Sequence, residues 1–512
     1  MAEDSVGQQP ARTWNGGLVG GVAAFVSQYR AIFIAAAFSL VVFAVYYYAG
    51  EGEAGNAGGS PYNNFVILGD AVLDGHVDIH DGAALRSYME MDIRDGRHYI
   101  IPPPWPAVLM LPGVAIWERG FDQTLFSAIL GGLTAGIVFV ISRRLSDKLE
   151  TQIWLTLLVV FGTLFWYAAA NGGVWFFSHT VAVLFLFLAI FFTIGRRNPL
   201  AAGLCLGAAY WTRQSTLLSF PFFLIMFSDL WLKPAVEGAP VWRRLSLRPL
   251  LEFGTGVSVF LLLSFGYNYW RFETPFDASQ HYLPDNVKAE PWFNHGPFDV
   301  RYISRHVVTA FERMPLVGSA SPYVVISTGG MALWATTPAF FIALFNRVRN
   351  PWVLAGGLVL LLIAVGVPVS RAVSGLWDSD WYTYTFPEVD FAWFYEEGIP
   401  VHINTIPFFV LIAGALWVSR RDKFALACWA AIIPTALMLF TFAGTGFAQF
   451  GYRFSLDYMP FMFLLTAHTI GNNMKWYHKA LIVLSVMLNL WGVLWVYHFQ
   501  PTQYLDVTWV VP

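Results

Sequence analysis

Apolar positions along this chain gather in long blocks and do not alternate. The runs 31–48, 155–170, 181–194 and 353–369 are almost unbroken by charge. At 1.5 Å per residue, such runs reach across, or nearly across, ~30 Å of hydrocarbon. Lipid offers no partner for backbone N–H and C=O groups, so a spanning segment must bond internally as a helix. A membrane barrel would show short segments of alternating polarity instead. The pattern predicts an all-α integral membrane protein with about thirteen spans. They fall at roughly 31–49, 124–142, 152–170, 174–194, 199–211, 215–232, 252–270, 328–346, 352–370, 402–419, 424–442, 456–472 and 480–498.

Charge adds orientation. Basic clusters recur in every second connection: Arg143, Arg144 and Lys148; Arg196 and Arg197; Lys233, Arg243, Arg244 and Arg248; Arg347 and Arg349; Arg420, Arg421 and Lys423; Lys475 and Lys479. With Arg12 and Arg30, these are a majority of the 30 Lys and Arg residues, so that side reads as cytoplasmic. The expected organisation is a cytoplasmic tail at 1–30, a membrane domain at 31–498 and an outer tail at 499–512. The long loops 50–123, 271–327 and 371–401 all fall outside. Only 12% of residues are charged against about 25% in soluble domains, which fits this reading. The two cysteines, Cys205 and Cys428, lie in apolar runs, so neither a disulfide nor a cysteine metal site is expected.

The polar outer loops hold the candidate chemistry. Residues 62–74 read as an amphipathic helix, with Asn63, Asp70 and Asp74 on one face and Phe65, Leu68 and Val72 opposite. Such a helix would lie along the membrane surface. A second short helix is expected around 83–91. There follow Arg97-His98-Tyr99, a run of prolines at 102–104, and an apolar piece at 107–117 that is short for a span and reads as interfacial or re-entrant.

At these residues the chain resembles the GT-C superfamily of membrane glycosyltransferases, which includes protein O-mannosyltransferases and the aminoarabinose transferase of lipid A. The resemblance rests on Leu73-Asp74-Gly75 ending the first loop helix, in the stretch 65–75, and on Tyr99 four residues before Pro103-Pro104. Three later segments add to it: Ala209-Tyr210-Trp211-Thr212-Arg213-Gln214, Asn268-Tyr269-Trp270-Arg271, and Gln449-Phe450-Gly451-Tyr452-Arg453 running on to Asp457 and Pro460. Each motif alone is weak; their order and shared side carry the match. The resemblance implies inverting transfer of a sugar from a polyprenyl-phosphate-linked donor on the outer face of the cell membrane. Many members place an acid just before the first loop helix. Here that stretch reads Tyr62-Asn63-Asn64, without a carboxylate.

Several residues take roles on this reading. Arg213, Arg271 and Arg453 stand at the outer ends of three helices and could clamp the phosphate, since Arg offers paired donors to a charge that grows in the transition state. The plain alternative is that they snorkel to lipid headgroups. Asp70, with Asp74 behind it, is the expected general base, and Asp92 and Asp95 are weaker choices. The plain alternative for any of these acids is a solvated helix face. Asn63, Asn64, Arg97, His98, Tyr99, Asn268 and Tyr452 complete the expected substrate-binding set. His76, His80 and His98 raise a divalent metal, but His76 and His80 lie in a glycine-bounded stretch without helical pattern, so no metal site is assigned. The aromatic, acidic stretch 377–397 could stack on sugar faces or form an interfacial belt. Gly16 to Gly21 lacks the preceding strand of a phosphate loop. The acidic outer face excludes nucleic acid. The expected partners are membrane lipid, the lipid-linked donor, and a glycan, lipid or protein acceptor. A transporter or flippase for a lipid-linked sugar is the competing class. It would place ionisable groups near the bilayer midplane, where these runs carry almost none.

Overall fold

The computed structural model describes residues 18–50, 62–79, 91–232, 245–374 (apart from 278, 284, 289–292, 318–322, 328, 347 and 349), 405–446 and 449–499. Helix α1 (Leu18–Gly50) is followed by α2 (Asn64–Leu73) and a small antiparallel sheet of β1 (Asp78–Ile79), β2 (Met91–Arg94) and β3 (Arg97–Ile100), with β3 in the middle. Next come α3 (Trp105–Trp117), α4 (Gln123–Leu145), α5 (Leu149–Gly162), α6 (Phe165–Asn171), α7 (Val174–Ile194) and α8 (Pro199–Tyr210). A 3-10 helix (Gln214–Ser219) leads into α9 (Phe220–Met226), α10 (Ser228–Trp231) and α11 (Leu247–Phe272). Short helices α12 (Asp285–Lys288), α13 (Ile303–Val307), α14 (Leu333–Thr336) and α15 (Phe341–Leu344) precede α16 (Pro351–Ser374), α17 (Ile406–Ser419), α18 (Lys423–Phe440), α19 (Met459–Ile470) and α20 (Trp476–Leu494). The chain is a helical membrane protein.

Among the described residues, seven helices are long and apolar enough to cross a membrane, or eight if the bent pair α5–α6 counts as one span. This differs from thirteen for a physical reason. Helices α8, α17 and α19 have 12, 14 and 12 residues; twelve residues rise only about 18 Å, short of the ~30 Å core. The expected span at 328–346 is broken into α14, a 3-10 turn at Pro338–Phe340, and α15, because proline removes a backbone donor. The 215–232 segment is divided likewise. The helix start also differs: α1 begins at Leu18, well inside the expected tail, and 18–30 contains no proline to stop it.

The caps are local. Asp122 Oδ1 accepts from the backbone N–H of Thr124 and Leu125 at 2.8 and 3.0 Å and starts α4. Asn198 and Asp422 do the same for α8 and α18. Helices α5 and α6 bend by 54°. There the Thr163 hydroxyl donates to the Val159 carbonyl and accepts from the Phe165 N–H, replacing helix bonds. Helix α6 ends at Gly172, whose φ is +67° and whose missing Cβ would stand 2.5 Å from Thr124 Cα, so only glycine fits.

The connections collect at two ends. At one, the Val174 N–H bonds the Tyr62 carbonyl (3.0 Å), Trp105 bonds Trp211, and Asp299 bonds Thr441 at 2.7 Å. At the other, Asp229 pairs with Arg197 and Lys423 at 2.7 and 3.2 Å, Lys479 pairs with Glu150, and Ser146 bonds Asn472. Among the described residues, the second end carries Arg197, Lys423 and Lys479, and the first carries the candidate site.

Candidate functional site

Phe454 lies in a 3-10 turn (Arg453–Asp457) just before α19, and the site is built around its ring. The Arg213 guanidinium carbon stands 5.4 Å from the ring centroid and that of Arg453 stands 5.7 Å away. The rings of His179 and His306 approach it at 6.2 Å each. An apolar ring face attracts cations through its quadrupole, so it can hold two arginines that would otherwise repel.

Beneath the ring lies Asp457, which is wholly buried. Its Oδ1 accepts from Arg213 Nε at 2.6 Å and from His179 Nδ1 at 3.0 Å; its Oδ2 accepts from the Ser215 hydroxyl at 2.5 Å. Three donors fill most of the roughly four acceptor sites of an ionised carboxylate and offset the cost of burying it. Because an ionised Asp457 can only accept, His179 carries its proton on Nδ1, and its Nε2 is buried without a partner. Arg213 spends only Nε on this contact. Its two terminal nitrogens have no hydrogen-bond partner among the described residues, and its side chain keeps 18% of its surface exposed. That edge of the guanidinium has the donor geometry that suits an anion.

His306 closes one side. Its Nε2 donates to the Phe442 carbonyl and its Nδ1 accepts from the Tyr452 hydroxyl, both at 2.8 Å. Burial pushes the pKa of His306 down to about 3, with Arg305 adding to the effect, so the ring is neutral. Near α18, the partly buried carboxylate of Asp299 is held below its usual range by Arg301.

No family model, curated protein or solved structure matches this chain. The site must therefore be judged on its own geometry.

The expected residues separate into groups. Arg213, Arg453 and Tyr452 come together. Arg271 does not join them. It is buried, donates to the Ile100 carbonyl and to Asn268 Oδ1 at 2.9 Å each, and stacks 4.3 Å from the Tyr267 ring. It rivets β3 to α11, with Asn268 as part of the rivet. A link to the site survives through Asp277, which accepts from Gln214 at 2.8 Å and lies 3.8 Å from Arg271. Tyr99 packs on Phe272 at 5.6 Å. Arg97 is exposed, 3.9 Å from the Asp78 carboxylate, and His98 is half-buried with Nδ1 unpartnered.

Helix α2 forms where expected but does not lie on a surface. Asn64 through Gly69 are all buried, because α3 covers the helix on one side and Phe177 of α7 meets Phe65 on another. Asn63 occupies the N-cap position without a capping bond from its side chain, and the Asn64 Nδ2 is buried without a partner. Asp70 accepts from Arg119 Nε through Oδ2 at 2.6 Å, and Asp74 is exposed. Asp95 is exposed beside Arg94, and Asp92 pairs in register with Tyr99 on β3. The short helix expected at 83–91 falls largely outside the described residues, though Met91 opens β2. His80, the 377–397 stretch and the outer tail also lie outside the described residues. Among the described residues, no group of three His, Cys, Asp or Glu side chains is placed to hold a metal ion.

Sequence reasoning passed over His179, Ser215 and His306, and it quoted Phe454 and Asp457 without giving them a role. A signal existed. An Asp at the mouth of one apolar run and a His inside another are costly unless they meet a partner.

Proposed function

We propose that this chain is a membrane glycosyltransferase. It moves a sugar from a polyprenyl-phosphate-linked donor to a hydroxyl on a glycan, lipid or protein, on the outer face of the cell membrane. The observation that carries the reading is the pair of arginines on one ring, with the Arg213 terminal nitrogens unspent. In the reaction, the bond between the anomeric carbon and the phosphate oxygen breaks, and its electrons go to the phosphate. The acceptor hydroxyl forms the new bond from the opposite face, which inverts the centre, and its proton passes to a carboxylate. Arg213 and Arg453 act where charge grows, on the leaving phosphate. Asp70 remains the proposed base. Arg119 holds its Oδ2, and no hydrogen bond is found for its Oδ1 among the described residues, which suits an oxygen that must receive a proton.

A reconstituted assay tests this. The purified protein in liposomes is given polyprenyl-phosphate donor labelled in the sugar, with a membrane extract as acceptor. The expected result is label leaving the lipid and free polyprenyl phosphate accumulating, both lost in Asp70→Asn. Movement of intact donor between leaflets, with no sugar released, would mark a flippase instead. Full turnover by Asp70→Asn would remove that residue as the base and shift the role to Asp92 or Asp95.

A further inference from the structure

We propose that Asp457 is the positioning residue for Arg213: its buried carboxylate takes the guanidinium by Nε, so that both terminal nitrogens face the ligand. The role rests on reading Arg213 as a ligand of the donor phosphate. A guanidinium has three edges. The contact at Nε holds one edge, and the far edge, formed by the two terminal nitrogens, has no partner among the described residues. An arginine that only snorkels to headgroups needs no buried counter-ion, and a wholly buried carboxylate is costly to keep for a surface anchor.

Two further contacts hold the anchor. Ser215, two residues after Arg213, bonds the second oxygen of the same carboxylate. The start of the 3-10 helix thus grips Asp457 by both oxygens. His179 reaches the first oxygen from α7. Asp457 also belongs to the same five-residue turn as Arg453. One short turn therefore carries one arginine and the anchor of the other, so the separation between the two cations is set by local backbone rather than by long flexible side chains. A phosphate bridging them meets donors whose ordering entropy is already spent.

The test is binding of farnesyl phosphate to the full-length protein in detergent, in a double-mutant cycle of Asp457→Asn and Arg213→Lys. Lysine keeps the charge but cannot offer Asp457 one edge and the ligand another. Asp457→Asn is expected to weaken binding by about tenfold or more in the wild-type background, and by much less once Arg213 is already Lys. Ser215→Ala should show the same coupling at smaller size, and it serves where Asp457→Asn does not fold. Equal losses in both backgrounds, as a merely structural role would give, overturn the proposal. So does wild-type affinity in both Asp457→Asn and Ser215→Ala. If the wild type binds but the coupling is absent, only the positioning role falls. If the wild type binds no farnesyl phosphate, the reading of the site and this role fall together.

Discussion

Arg213 and Arg453 share a ring, but Arg271, of the same residue type and at a comparable helix end, is consumed by the fold. The difference lies in their contacts: Arg271 is buried among a carbonyl, an amide and two rings, and Arg213 keeps one edge open. Arg453→Ala should raise the barrier to transfer by about 3–4 kcal/mol, the typical loss for one donor at a developing charge. Arg421→Ala, exposed at the basic end, should leave initial rates unchanged. Arg271→Ala should act first on the melting midpoint. Rates and melting curves on the three variants separate these roles. His306 gives a pH signature. Its pKa of about 3 in the folded state lies below the ordinary value near 6.5, so the unfolded chain binds the proton first. Stability is therefore full above pH 6.5 and falls as the pH drops from there toward 3, by up to about 1.4 kcal/mol per unit. A His306→Asn variant should show a shallower slope between pH 6.5 and 5 in denaturation series. At this scale the sequence showed the arginines, because they end apolar runs. It hid Asp457 and His179, whose meaning depends on meeting across 278 positions of chain.

Helix packing depends on small residues as much as on apolar ones. A Cβ on Gly203 of α8 would stand 2.2 Å from the Phe253 carbonyl oxygen of α11, and one on Gly256 would stand 2.5 Å from the Leu200 carbonyl. Two backbones touch there, the usual device where lipid gives no hydrophobic drive for helices to associate. Helix α8 ends at Tyr210, three residues before Arg213, so this contact also sets the height of the site. Gly203→Ala should cost about 1–3 kcal/mol despite the better helix propensity of alanine, whereas Gly254→Ala, with open space around it, should be neutral or stabilising. Thermal midpoints in one detergent decide between them. Periodicity located the helices well: α4, α7, α16 and α20 overlap their expected runs closely. Hydropathy does not register where a helix breaks or bends: Pro338 interrupts 328–346, and Thr163 sits at the bend in 152–170. The surface helix at 62–74 was misjudged for another reason. Its apolar residues looked one-sided, yet Val66, Ile67 and Gly69 also needed cover, and α3 supplies it.

At one end of the molecule Asp229 pairs with Arg197 and Lys423, and Lys479 with Glu150; at the other lie the Val174–Tyr62 and Asp299–Thr441 backbone bonds and the candidate site. Arg143, Arg144, Arg197, Lys423 and Lys479 lie at or near helix ends close to those ion pairs. The central proposal is a lipid phosphate held by Arg213 and Arg453. Native mass spectrometry of the full-length protein, released from detergent with co-purifying lipid, tests this most directly. The account predicts an adduct with the mass of polyprenyl phosphate or its sugar conjugate on the wild type, and its loss from an Arg213→Lys, Arg453→Ala double variant that still folds. A wild type carrying only bulk phospholipid, or an adduct equally abundant on the double variant, would contradict it.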